Sequence, residues 1–279
     1  MATGSPSVSD KRRTFRALHQ TGCFVIPNPW DIGTARYLAH LGFKALATTS
    51  SGFAWSQGLA DSKLSRDQAL AHFESLVAAT DLPVNADFES GYTRTPRELA
   101  ENVALAVHTG IAGLSIEDST GEPHRPLYDL TTAVERIGIA RRAIDQAGGD
   151  ALLVGRAECY LVGRPDLPET IARLQAYAAA GADCLYAPGL RTREDISAVV
   201  AALAPKPVNL LIGSASEFTV GDVAAMGVRR ISVGGALARS AWGAFMRAAQ
   251  LIAQEGRFDG FKDGASGTAL DDFFAPPGR

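Results

Sequence analysis

Short apolar, β-branched runs alternate with longer stretches of helical periodicity along this chain, and the alternation recurs eight times between Phe24 and Ile252. The strand candidates are residues 24–28, 45–50, 83–89, 113–118, 152–158, 184–189, 207–213 and 229–235, each followed by a helix candidate. Helices stop at signals such as His108-Thr109-Gly110 and Ala180-Gly181. Eight near-equal units predict closure into a (β/α)8 TIM barrel rather than an open doubly wound sheet. Several strands run into Gly, Asp, Glu or Asn at their carboxyl ends, the face on which parallel barrels carry chemistry.

Length and composition agree with one barrel domain over residues 1–279: apolar residues make up 46% and charged residues 20%. Residues 1–10 are Ser- and Gly-rich and are expected to be mobile, and residues 257–279 read as an aperiodic C-terminal tail whose phenylalanines could dock. The formal net charge of -3, with Lys and Arg scattered, supplies no basic stripe for nucleic acid. No stretch approaches the roughly 20 apolar residues of a membrane span, and residues 1–10 do not resemble a signal peptide. A cytoplasmic location is the expectation. Cys23, Cys159 and Cys184 lack metal-ligand spacing and read as reduced core thiols.

The chemistry gathers at strand ends. Alternation places Asp87 and Glu89 on one side of the third strand, the fourth ends in Glu117-Asp118, and Asp61 lies in the loop after the second. Such hard oxygen donors suit Mg2+ or Mn2+ rather than zinc. Any one of these acids could instead cap a helix or pair with a base, but several unpaired carboxylates together repel unless a cation or proton intervenes. The fifth strand adds Arg156 and Glu158; the guanidinium suits a substrate carboxylate, or else a buried ion pair with Glu117 or Asp87. The run Thr48-Thr49-Ser50-Ser51-Gly52-Phe53 offers small residues whose N–H groups could cradle an anion, or forms a polar turn. His124 is a candidate acid or base in the loop after the fourth strand, or a surface residue. Ile212-Gly213-Ser214 and Val233-Gly234-Gly235 admit a phosphate site, though no Lys or Arg accompanies them.

Asn28-Pro29-Trp30-Asp31, Thr49-Ser50-Ser51-Gly52, Asp87-Phe88-Glu89-Ser90-Gly91-Tyr92, Ile116-Glu117-Asp118 and Gly155-Arg156-Ala157-Glu158 occur in that order. With them the chain resembles the isocitrate lyase and phosphoenolpyruvate mutase superfamily over nearly its whole length. The resemblance implies a barrel, commonly a tetramer with C-terminal helix exchange between subunits, that uses Mg2+ to hold a 2-oxo acid or its enolate. It implies Asp87 as the direct metal ligand, with Asp61, Glu89 and Glu117 on metal-bound waters. Ser50, Ser51 and Gly52 would cradle a substrate carboxylate, Arg156 would meet the oxyanion, and Trp30 and Asp31 would wall the pocket. The stretch 119–126 lacks the cysteine motif of superfamily lyases that release succinate, so isocitrate and methylisocitrate are not expected substrates.

These readings leave a carbon–carbon lyase or decarboxylase acting on a small 2-oxo or 2-hydroxy dicarboxylate as the first expectation. A carbon–phosphorus enzyme on the same site is the second, and a non-catalytic metabolite-binding barrel the third. The expected partners are a small 2-oxo acid and further copies of the chain as a dimer or tetramer, with neither nucleic acid nor membrane.

Overall fold

A computed structural model of the protein describes residues 5–275. The chain divides into two compact units, Met1–Leu237 and Ala238–Arg279. The first holds eight parallel strands: β1 (Phe24–Ile26), β2 (Leu46–Ala47), β3 (Val84–Asp87), β4 (Gly113–Glu117), β5 (Leu152–Arg156), β6 (Cys184–Tyr186), β7 (Val208–Leu211) and β8 (Arg230–Ser232). Their hydrogen-bonded order is β1-β8-β7-β6-β5-β4-β3-β2. The seam between β1 and β2 carries the bond from Ala47 N–H to the Pro27 carbonyl at 3.0 Å. Asn28 stitches the same seam, donating to the Thr48 carbonyl at 2.8 Å and accepting from the N–H groups of Val233 and Gly234, each at 2.9 Å. The expected TIM barrel is thus the observed architecture, each strand shorter than the apolar run that announced it because its ends turn into loops.

Helices alternate with the strands: α1 (Val8–Leu18), α2 (Ile32–His40), α3 (Ser50–Ser56), α4 (Arg66–Ala79), α5 (Pro96–His108), α6 (Leu130–Gln146), α7 (Leu167–Ala179), α8 (Arg193–Leu203) and α9 (Val220–Ala225). Local sequence explains most starts. Ser, Thr or Asp side chains cap the N-termini of all nine, as when Ser65 Oγ accepts from Gln68 N–H at 3.2 Å.

Part of the stretch 1–10 expected to be mobile is instead helix. Residues 1–4 lie outside the described residues, but Ser7 and Asp10 form a reciprocal capping box that opens α1. That helix closes the amino-terminal end of the barrel. Lys11 Nζ donates to the carbonyls of Val77 (3.1 Å) and Thr80 (2.6 Å) at the end of α4. Arg12 donates to those of Val107 (2.7 Å) and Ile111 (3.0 Å) after α5, so cations meet the electronegative ends of two helices. Phe15, fully buried, reaches so near β4 that a Cβ on Gly113 would lie 2.9 Å from its ring. Only glycine allows the plug.

The second unit holds most of α10 (Ala236–Glu255), a 3-10 turn (Asp259–Phe261) and α11 (Gly267–Phe274), so the tail read as aperiodic carries a helix capped by Ser266. Its large apolar side chains are mostly exposed, Phe245 at 61% and Phe258 at 65%. No helix among the described residues is long and apolar enough to cross a membrane.

Candidate active site at the carboxyl ends of the strands

The end of β2 organises the end of β3. Thr48 Oγ accepts from Asp87 N–H at 2.8 Å, while Ser50 donates to Asp87 Oδ2 from its N–H at 3.0 Å and from its hydroxyl at 2.9 Å. Asp87 is therefore aimed by residues 37 and 39 positions earlier in the chain. Its other oxygen lies 3.2 Å from Arg156 Nη1.

Arg156 is the hub. The β4–β5 register sets it beside Glu117, and its Nη1 is 3.2 Å from Glu117 Oε2. Its Nε donates to Glu158, and its Cζ lies 5.2 Å from the centroid of the Tyr186 ring. Both partners weighed for a buried ion pair, Glu117 and Asp87, are thus present together, with Glu158 as a third.

The acids around this guanidinium outnumber it, and their protons show the strain. Burial, then the charges of Asp87 and Asp61, push Glu89 up to about 7. Burial and Asp87 raise Asp61, even though that residue is open to solvent on one side. Burial drives Glu117 well above the carboxylate range despite Arg156, and Glu158, Asp87 and Glu89 add to the effect. Like charges in a low-dielectric cleft repel, and a divalent cation is the ordinary remedy. The donor set, all carboxylate oxygen, fits Mg2+ or Mn2+. Among the described residues no three His, Cys, Asp or Glu side chains are placed to enclose an ion directly.

The other predicted residues fall differently. Gly52 N–H donates to Thr49 Oγ at 3.2 Å and Ser51 Oγ lies 3.1 Å from the same hydroxyl, so the expected anion cradle is the capped first turn of α3. Trp30 is half-buried after β1. Asp31 is exposed and caps α2, accepting from Thr34 N–H at 2.7 Å, so its carboxylate serves the helix. His124 is exposed on a hairpin closed by the Ser119–Leu127 bridge. Gly213 lies in the loop after β7 and Gly234 in the turn after β8.

Asp118, counted with the acids, turns the opposite way from Glu117, as strand alternation requires. It is 3% exposed and accepts from Tyr177 Oη at 2.6 Å, Arg173 Nη1 at 3.1 Å and Glu158 N–H at 2.8 Å. It thereby fixes the backbone from which Glu158 reaches Arg156. Tyr177 and Arg173, on α7, were not anticipated; an Arg and a Tyr four residues apart, hence on one helix face, were the available signal.

The chain matches the phosphoenolpyruvate phosphomutase family over residues 15–253. Among solved structures, a candidate lyase or mutase from Burkholderia cenocepacia J2315 is 47% identical with a TM-score of 0.94, covering 97% of this chain and 98% of that one. An oxaloacetate acetylhydrolase in complex with its product oxalate is 26% identical with a TM-score of 0.84, covering 96% and 95%. The oxaloacetate decarboxylase of Pseudomonas savastanoi pv. phaseolicola is 28% identical over 234 residues, 80% of this chain and 78% of that relative. On a family match that takes in the barrel strands and every acid of the cluster, this chain belongs to the phosphoenolpyruvate phosphomutase family, within the isocitrate lyase and phosphoenolpyruvate mutase superfamily.

Proposed function

We propose that this protein is a Mg2+-dependent carbon–carbon lyase or decarboxylase that acts on a small 2-oxo or 2-hydroxy dicarboxylate of the oxaloacetate class through an enolate. The observation that carries the reading is Arg156 held among Asp87, Glu117 and Glu158 at the ends of neighbouring strands. Relatives that act on oxaloacetate support the substrate class.

In this reading Asp87 would hold the ion directly, with Asp61, Glu89 and Glu117 reaching it through water. The ion supplies Lewis-acid polarisation of the 2-oxo group. Arg156, its guanidinium plane set by Glu158, opposes the charge that develops on the enolate oxygen as the bond to the departing carboxyl or acyl carbon breaks. The first turn of α3, with Ser50, Ser51 and Gly52, binds the substrate carboxylate, and Trp30 excludes water on the side of β1. Asp31, the cap of α2, would wall the pocket with Trp30, and His124 is the candidate proton carrier on the hairpin.

The test is a panel of oxaloacetate, phosphonopyruvate, dimethylmalate, isocitrate and methylisocitrate with Mg2+, read by pyruvate, oxalate, glyoxylate and phosphate. Pyruvate with CO2 from oxaloacetate is the expected result, whereas oxalate with acetate, a cleavage that takes up water between C2 and C3, would replace the enolate reading with hydrolysis. Phosphate from phosphonopyruvate alone would replace this reading with the carbon–phosphorus one. Isocitrate or methylisocitrate turnover of order 1 per second, ordinary for enzymes, would mean that another group supplies the proton missing from residues 119–126.

The same reading makes the protein a cytoplasmic homo-oligomer, a tetramer or dimer exchanging C-terminal helices. The exposed Trp242, Phe245, Met246, Phe258 and Phe261 of the second unit support it. A concentration-independent monomer in light scattering would contradict it.

A further inference from the structure

The turn after β3 is built in a conformation that its residues disfavour. Glu89 and Tyr92 have φ of 48° and 58°, in the left-handed region that is strained for non-glycine residues. Gly91 between them has φ of 82°, and a Cβ there would lie 2.3 Å from Leu99 Cδ1. Such a turn persists only where its surroundings over-determine it. Asn102 Nδ2, on α5, donates to the Gly91 carbonyl at 2.9 Å.

The larger constraint comes from α6, which carries none of the site residues. Arg136 on that helix is 3% exposed, and the partners described for its guanidinium are neutral. Nη2 donates to the carbonyls of Ser90 and Thr93, the latter at 2.8 Å, and Nη1 to that of Arg94 at 3.4 Å. Its Cζ stacks 4.7 Å from the Tyr128 ring centroid, and Nε is buried without a hydrogen-bond partner. Burying a cation without a carboxylate is unfavourable, so the feature is a poor choice for stability alone. The planar fork spreads its donors over carbonyls on both sides of Gly91, with Nη2 on Ser90 and Thr93 and Nη1 on Arg94, a reach that one ammonium nitrogen does not match and an apolar residue lacks.

We infer that Arg136 is a positioning residue: by collecting the carbonyls of Ser90, Thr93 and Arg94 it holds the left-handed turn, and with it the Glu89 carboxylate, in the place a divalent cation requires. The Glu89 Oε1 to Tyr92 Oη contact at 3.4 Å is the visible product of that arrangement on the site side. The functional half of this inference rests on the metal reading proposed above; the conformational half does not.

The test compares Arg136→Met with Arg12→Met, a second buried guanidinium that also binds carbonyls, but at the amino-terminal end of the barrel. Two readouts are taken on the whole protein: Mn2+ binding by electron paramagnetic resonance of the free ion, and amide hydrogen exchange in the peptide covering residues 88–94. Arg136→Met is expected to raise exchange in that peptide tenfold or more and to weaken Mn2+ binding tenfold or more. Arg12→Met should leave both at wild-type values while lowering the melting temperature. Arg136→Lys, which keeps the charge and loses the fork, should fall between wild type and Arg136→Met, and it stands in as the test if the methionine variant does not fold. Unchanged protection of residues 88–94 overturns the inference whatever the metal does. Lost protection with unchanged Mn2+ affinity overturns its functional half. If the wild-type protein binds no Mn2+, the metal reading fails, and the exchange data alone decide whether Arg136 holds the turn.

Discussion

Two arginines lie inside the barrel, near opposite ends of its strands, and their surroundings differ in kind. Arg156 stands at the carboxyl end among Asp87, Glu117 and Glu158. Arg230, 3% exposed at the start of β8, donates to Asn209 Oδ1 at 2.8 Å and lies 3.5 Å from both Asn85 Oδ1 and His19 Nε2. His19 Nδ1 is 2.8 Å from the Phe15 carbonyl, which assigns its proton to Nδ1 and leaves Nε2 as an acceptor for Arg230. Neutral acceptors satisfy a guanidinium without adding charge, so the amino end is a closed lock. The carboxyl end keeps surplus acid beside its arginine, and that imbalance is a capacity to bind a cation.

The largest effect that separates the two ends is expected from removing each arginine. Arg156→Met leaves buried Glu117 and Glu158 without a counter-charge and should cost about 3–5 kcal/mol of stability, part of it recovered by Mg2+, and should lower turnover at least a hundredfold. Arg230→Met strands amide oxygens rather than carboxylates and should cost about 1–3 kcal/mol with no recovery by Mg2+. Denaturant titrations with and without Mg2+ check both; equal losses, or Mg2+ rescue at Arg230, would dissolve the contrast.

A second substitution tests the carboxyl end alone. Asp87→Ala should lower turnover of oxaloacetate roughly a hundredfold or more with an unchanged circular dichroism spectrum, since a Lewis-acid metal contributes several kcal/mol to the transition state. A folded, fully active variant that still needs Mg2+ would make Asp87 a structural carboxylate.

Ligand linkage should distinguish the ends more gently. Mg2+ at a hundred times its dissociation constant stabilises by about 2.7 kcal/mol, or roughly 5–10 °C of melting temperature for a chain of this size. Arg230→Met should keep that shift and Asp87→Ala should lose it, as thermal melts with added Mg2+ and with a chelator would show.

The smallest effect, over the pH range in which the test is run, belongs to the amino end and to acid. Burial, then the charge of Arg230, depresses His19 from 6.5 to about 3. The unfolded chain therefore binds the proton that the folded one refuses, so this contribution is fully present above pH 6.5 and is lost as pH falls toward 3. The slope should approach about 1.4 kcal/mol per pH unit in that window. His19→Gln should flatten it in denaturant titrations run from pH 6.5 to 4.5; an unaltered slope would place the acid sensitivity elsewhere.

The barrel was legible because eight apolar runs, each ending in polar residues and followed by a capped helix, are local signals. The acid cluster was legible for a related reason: Asp87 pairs with Ser115, Glu117 with Arg156 two residues further on, and Glu158 follows two residues later, so all four sit at even offsets along neighbouring strands and an alternating backbone sends them to one side. The same rule, applied one residue further, would have turned Asp118 away from the site. The helix at the front of the chain was missed because its Ser and Asp residues look like a polar tail until Lys11, Arg12 and Phe15 find partners tens of residues away.

The sequence by itself thus determined the order of the eight strand and helix pairs, the parallel closed sheet and which acids stand at the strand ends, because period and spacing are properties of contiguous residues. Only the tertiary structure decided which groups hold them. Ser50 on Asp87, Asp118 beneath Glu158, Arg136 under the Glu89 turn and neutral His19 against Arg230 all join residues far apart in the chain. Such contacts depend on how strands and helices pack around one another, and no local pattern of apolar and polar positions carries that distance.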